Sequence, residues 1–155
     1  MYESVGVVGA GVMGIGVAQE LARAGCQVIL VDVSEDILHR ARDKIRNNLR
    51  FATLCDAELR KVDLDVIMDR ISDTTSYDRL ESVELVIENA TESWSVKSTI
   101  YPELDRVCPT DCVIAANTSA ISITRLGDLT GRAGRVIGMH FMNPVPNKRV
   151  VELVR

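Results

Sequence analysis

Gly9-Ala10-Gly11-Val12-Met13-Gly14 stands between the apolar run Ser4-Val5-Gly6-Val7-Val8 and a stretch, Val12 to Ala24, whose apolar and small residues recur at roughly helical spacing. The run ending at Gly9 reads as a buried first strand, and Gly25 as the glycine just past a helix end. G-x-G-x-x-G alone is a weak signal, because glycines mark many turns. Here a strand precedes it, a helix follows it, and Asp32 closes a second apolar strand (Gln27–Val31) 23 residues after Gly9. Gly9 then permits the tight turn, Gly11 lets the backbone approach a pyrophosphate, and Gly14 lets the helix pack closely on the sheet. The helix start at Val12 and Met13 offers free N–H groups and a partial positive charge to that phosphate. A carboxylate at Asp32 suits the two ribose hydroxyls of an adenosine and repels a 2′-phosphate. Val33-Ser34-Glu35 brings no cation to offset that repulsion. NAD, rather than NADP, is the expected cofactor.

Outward from this motif, apolar runs alternate with helical patterns, the signature of βαβ units. Further strands are expected at Ile71–Thr74, Glu84–Glu88, Cys112–Ala116, Val136–His140 and Val150–Val154. Ser34 is placed to cap a helix whose face is Ile37, Leu38, Ala41, Ile45 and Leu49. A second helical piece over Ala57–Arg70 would carry Leu59, Val62, Val66 and Ile67 inward, so the long connection after strand two reads as a projecting helical arm. A helix over Glu92–Val107 should kink or end its first half at Pro102. A short helix is expected near Ile121–Leu126. The fold class is α/β, a Rossmann-type doubly wound, mostly parallel sheet with a helical-hairpin insertion after the second strand, and residues 1–155 form one NAD-binding domain.

Composition agrees with that class. Of 155 residues, 46% are hydrophobic and only 4% aromatic, so the core rests on Val, Ile, Leu and Ala, as suits a parallel sheet covered by helices. The formal net charge of −4, with dispersed basic residues, argues against a nucleic-acid or membrane-surface partner. No apolar run reaches the roughly 20 residues of a membrane span. The first residues lack the basic start of a secretory signal. Cys26, Cys55, Cys108 and Cys112 have no metal-ligand spacing, so no metal is expected, and Cys108 and Cys112 are one residue too far apart for a C-x-x-C pair. Reduced thiols in a cytoplasmic protein are the expected state.

Two histidines are available for proton transfer. His39 falls in a polar helix and reads as solvated. His140 ends an apolar strand, and Glu152 lies twelve residues on, in another. If Phe141-Met142-Asn143-Pro144-Val145-Pro146 reverses the chain, the two are equidistant from Pro146 and face each other as an imidazole–carboxylate dyad. A structural strand-end histidine is the other reading at this point. Asn117-Thr118-Ser119 ends a strand on the carboxyl edge of the sheet, where doubly wound folds bind ligands. The same residue types are also ordinary turn formers.

Taken together, Gly9 to Gly14, Asp32, Val86-Ile87-Glu88, Asn117-Thr118-Ser119 and Gly138-Met139-His140-Phe141-Met142-Asn143-Pro144-Val145-Pro146 resemble the NAD-binding domain of the 3-hydroxyacyl-CoA dehydrogenase family, 3-hydroxybutyryl-CoA dehydrogenases included. The resemblance runs in order across essentially the whole chain. It implies reversible hydride transfer between NAD and C3 of an acyl thioester, with His140 as general acid/base on the 3-hydroxyl and Glu152 as its partner. By the same resemblance Ser119 bonds the substrate oxygen and helps place the cofactor, Asn143 contacts the nicotinamide side, and Glu92 and Lys97, with Asn117, reach NAD.

The chain also departs from the family. Members carry a C-terminal helical dimerisation domain, which is absent from this chain. A homodimer mate or a partner chain supplying that wall is therefore expected, along with apolar surface prone to self-association. Where coenzyme A-using members carry a serine and a lysine in the arm, this chain has Asn48 and Cys55. That departure opens the carrier to an acyl carrier protein, as in relatives that make polyketide extender units, and Asn147-Lys148-Arg149 offers basic groups to an acidic carrier. A non-catalytic NAD(H)-binding module, or a domain that needs a partner, is the alternative reading.

Overall fold

The computed structural model describes residues 2–148 and 150–155. Strands β1 (Ser4–Val8), β2 (Gln27–Val31), β3 (Ile71–Thr74), β4 (Leu85–Glu88), β5 (Val113–Ala116), β6 (Val136–Phe141) and β7 (Val151–Val154) form one sheet in the order β3-β2-β1-β4-β5-β6-β7. The first six run parallel, and β7 is antiparallel to β6. Helices α1 (Val12–Arg23), α2 (Glu35–Ala52), α3 (Leu64–Met68), α4 (Trp94–Val107) and α5 (Ile123–Gly127) connect them. On one face Val17, Ala18, Leu38 and Ile45 of α1 and α2 pack against Val5, Val7 and Leu30. On the other, Tyr101, Leu104 and Leu126 of α4 and α5 cover Val86, Ile114 and Val136. A sheet buried on both faces explains why its strands are continuous apolar runs. Among the described residues, no helix is long and apolar enough to cross a membrane.

The strand order reverses between β1 and β4, so the chain leaves their carboxyl ends toward opposite faces and opens a crevice there. A Cβ on Gly9, at φ +94°, would sit 2.8 Å from the main-chain carbonyl of Asn89. The glycine at that position therefore allows the two diverging turns to touch.

Three expectations change. The arm's second helix is broken: a 3-10 turn at Leu59–Lys61 precedes a five-residue α3. Asp56 accepts from the amides of Glu58 and Leu59, and Asp63 caps α3 through the amide of Asp65, so two aspartates divert the backbone where one helix was expected. Leu59 and Ile67 are buried, whereas Val62 and Val66 are 44% and 48% exposed. Helix α4 runs through Pro102, because Ile100, Tyr101 and Leu104 anchor it to the sheet on both sides of the missing N–H. Ser34 occupies the N-cap of α2 in extended conformation, but its side chain makes no capping bond. His39 is exposed on α2, as expected.

Candidate active site

The glycine turn shows whether a dinucleotide fits. A Cβ on Gly14 would lie 1.7 Å from the carbonyl oxygen of Gly9, whereas one on Gly11 would meet nothing within 4 Å. Gly14 is thus needed by the fold itself, and Gly11 leaves open space above the turn. No side chain caps α1 and no acid sits in its first turn, so the N–H groups at Val12 and Met13 meet no competing carboxylate. Asp32 accepts from the amides of Ala10 at 2.7 Å and Val33 at 2.8 Å. These bonds hold the carboxylate beside the glycine turn, and its remaining lone pairs stay available to ribose hydroxyls. A cavity of about 430 Å³ lined by Gly9, Gly11, Asp32, Val33, Ile37 and Ile100 adjoins it, apolar-walled and of a size for an adenosine. These features fit NAD.

Asn89 and Ala90 line this cavity and also a second one of about 360 Å³, so the two form one trough across the crevice. The second cavity brings together Met13, Glu92, Asn117, Ser119, His140 and Asn143, six of the residues singled out from sequence. His140 is the register partner of Glu152 across the β6–β7 hairpin, which turns about Pro146. The His140 Nδ1 and Glu152 Oε2 atoms are 3.0 Å apart. The carboxylate therefore fixes the ring orientation through Nδ1 and leaves Nε2 outside the pair. Val145 packs against α1, where a Cβ on Gly16 would lie 2.9 Å from the Val145 Cβ, and this contact seats the loop carrying Asn143.

Glu92 folds back on the turn after β5. One carboxylate oxygen accepts from the Thr118 hydroxyl and from the amides of Ser119 and Ala120. Partial burial pushes its carboxyl up, but these bonds outweigh that and hold it below the usual range. Glu92 thus shapes the turn bearing Ser119. The Asn117 amide is likewise engaged: its nitrogen donates to Asn89 Oδ1 at 2.7 Å, and its oxygen accepts from the Phe141 amide at 3.2 Å. Lys97, expected to reach the cofactor, is instead fully buried below the trough against Glu88, itself fully buried. The ammonium lies on the apolar stripe Lys97, Ile100, Tyr101, Leu104 of α4, a periodicity that itself pointed inward. Burial pushes the Glu88 carboxyl up, and neighbouring Lys97 draws it only partly back. Asn89 and Ala90 were not singled out from sequence, and Glu88 only as the end of the Val86-Ile87-Glu88 strand, with no role at the site. Their signal was the place of β4 beside the glycine turn, which appears only once the strand order is known.

Fold and trough together define a nicotinamide-dinucleotide-binding domain of the dehydrogenase kind. Residues 4–155 match the family described as 3-hydroxyacyl-CoA dehydrogenase, NAD binding domain, and the chain belongs to that family. It is 42% identical to a 3-hydroxybutyryl-CoA dehydrogenase of Bradyrhizobium diazoefficiens over 100% of this chain and 53% of that protein. With the mitochondrial hydroxyacyl-coenzyme A dehydrogenase of Sus scrofa the identity is 38%, over 100% of this chain and 51% of the relative. The crystal structure of (S)-3-hydroxybutyryl-CoA dehydrogenase from Ralstonia eutropha superposes with a TM-score of 0.90 at 39% identity, covering 99% of this chain and 54% of that one. The chain spans about half the length of the curated relatives it matches.

Proposed function

We propose that this chain works in NAD-dependent, reversible hydride transfer at C3 of a 3-hydroxyacyl thioester. The observation that carries the reading is the His140–Glu152 pair, in register and 3.0 Å apart, on the rim of a trough whose other end is built around the glycine turn. NAD, when bound, supplies the two-electron acceptor or donor at its nicotinamide ring. His140 takes the proton of the 3-hydroxyl in oxidation and returns it in reduction, with Glu152 stabilising the charged ring. Ser119, exposed on the cavity wall, bonds the substrate oxygen, and Asn143 lies on the loop closing the nicotinamide side.

The carrier end of the substrate lies over a neighbouring cavity of about 370 Å³ between the arm and the loop, lined by Lys44, Asn48, Phe51, Asn143 and Pro146. Asn48 lines that cavity and Cys55 is exposed nearby in the arm, the two positions that by the family resemblance correspond to a serine and a lysine. Without the lysine's charge at that position, the acyl group is carried on coenzyme A or on an acyl carrier protein. Lys148 is exposed at the end of the loop to meet an acidic carrier, while Arg149 lies outside the described residues. A homodimer mate or partner chain supplies the wall facing Ser119 and His140. The four cysteines are unpaired, which supports a reducing, cytoplasmic setting.

NADH oxidation, followed with acetoacetyl groups presented on coenzyme A and on an acyl carrier protein, tests the proposal. Turnover with either establishes the dehydrogenase, and the better substrate identifies the carrier. Binding of NADH without turnover of either thioester would favour a domain that acts only with a partner or a pure binding module.

A further inference from the structure

We infer that the buried Glu88–Lys97 pair positions the cofactor site, holding together the two turns beneath the trough and, through Asn117, the end of the strand that carries His140. This rests on the reading of the trough as the NAD site and not on the identity of the thioester. The Lys97 ammonium donates to both carboxylate oxygens of Glu88, at 2.8 and 2.7 Å, and lies 3.5 Å from the Ala90 carbonyl and 3.4 Å from that of Asn117. Glu88 also accepts from the Ala90 amide at 2.7 Å and from the Tyr101 hydroxyl at 3.3 Å. One ion pair thereby joins the end of β4, the turn after it, α4 and the turn after β5.

The β4–β5 register ends at Glu88↔Ala116, and past it the chains part. Beyond that point the Asn117 amide still reaches the Glu88 carbonyl at 2.8 Å, and Lys97 spans from one turn to the other. Asn117 carries the link on, to Asn89 across the trough and to the Phe141 amide next to His140. Stability alone does not explain such a pair. Each ion loses its hydration, and well-packed apolar residues of similar volume often serve a core as well or better. A leucine at position 88 of β4 and a methionine at position 97, on the stripe with Ile100 and Leu104, would fill this space, but they would make no directional bonds to the carbonyls of two separate turns. The positioning role accounts for why the charges are kept where their burial is costly.

The test is the double variant Glu88→Leu/Lys97→Met, read by melting temperature and by NADH binding through energy transfer from Trp94, the chain's single tryptophan. The expected result is a melting temperature close to that of the wild type, with an NADH Kd at least tenfold higher. A double variant that recovers the melting temperature and also binds NADH normally would reduce the pair to a fold contact and overturn the inference. Should the double variant not fold, Lys97→Arg decides. It keeps the charge but not the compact head that reaches both carbonyls, so, titrated well below its own melting temperature, it is expected to bind NADH at least threefold more weakly. An unchanged Kd in that variant would equally overturn the inference. These readouts need no thioester, so a chain that turns over none leaves the test intact.

Discussion

Two glycines of one turn should separate folding from binding. At Gly14 an added methyl would lie 1.7 Å from the Gly9 carbonyl oxygen, about half the distance of an ordinary contact, and its obstacle is main chain. Relief requires α1 or the turn to move by more than an ångström, in a core that is packed on both sides. Overpacking of this severity costs about 3 kcal/mol. At roughly 2–4 °C per kcal/mol for a domain of this size, Gly14→Ala should melt about 6–12 °C lower. Gly11 sits at φ −76° and ψ −169°, extended backbone that alanine adopts freely, and a methyl there meets nothing within 4 Å. Gly11→Ala should therefore melt within about 2 °C of the wild type, since such replacements are worth at most about 1 kcal/mol and often stabilise. The same methyl occupies the space a pyrophosphate must enter, so NADH should bind at least about tenfold more weakly, a loss of about 1.4 kcal/mol. Thermal melts and fluorescence titration with NADH provide both readouts. Wild-type affinity in Gly11→Ala, or a wild-type melt in Gly14→Ala, would refute the assignment of these two roles.

Further expectations follow from the site. His140→Gln should lower turnover by about 10²–10⁴-fold while NADH binding stays within a factor of two or so, as steady-state rates and titration will show. Glu152→Gln should leave the ring in place and lower turnover less than His140→Gln does, as steady-state rates will show. Asp32→Ala should raise the affinity for NADPH relative to NADH by at least about tenfold, measured as the ratio of the two Kd values. Stability should fall as the solution is acidified below about pH 4. The amide of Gly131 and the Arg132 guanidinium hold the Asp105 carboxyl below its ordinary range, and the turn amides do the same for Glu92. Both groups bind fewer protons folded than unfolded, so their contribution is present at neutral pH and is lost as pH drops through their folded values. Melting curves of Asp105→Asn and Glu92→Gln should accordingly depend less on pH across that window than those of the wild type.

Much of this site could be read before the fold was known, because its parts are local. The glycine turn, the strand before it and Asp32 lie within one βαβ unit, and each answers a constraint that a few residues impose. The dyad was legible for a different reason: a hairpin's register follows from counting outward from its turn, and His140 and Glu152 lie symmetrically about Pro146. The structure corrected the sequence reading where local chemistry competes with periodicity. Val62 and Val66 continue an apolar helical pattern that Asp56 and Asp63 interrupt by capturing backbone amides. Lys97 entered as a cofactor contact only through the family resemblance, whereas its place on the inward stripe of α4 accounts for its burial. The pairing with Glu88 lies only nine residues away in the chain, but it depends on how α4 packs back on β4, which helical periodicity alone does not give.

Glu152 comes from β7, the last strand of the sheet and one whose four residues are all exposed. Edge segments with little buried surface open at free energies far below that of global unfolding. The lifetime of the assembled dyad is then governed by local fraying of one strand, while the glycine turn and the cofactor trough lie deeper in the sheet and share its full cooperativity. On warming, proton transfer should fail before cofactor binding does, and the gap between the two temperatures measures how firmly that edge is held. Whatever clamps β7 thereby also sets the fraction of molecules in which His140 and Glu152 stay paired.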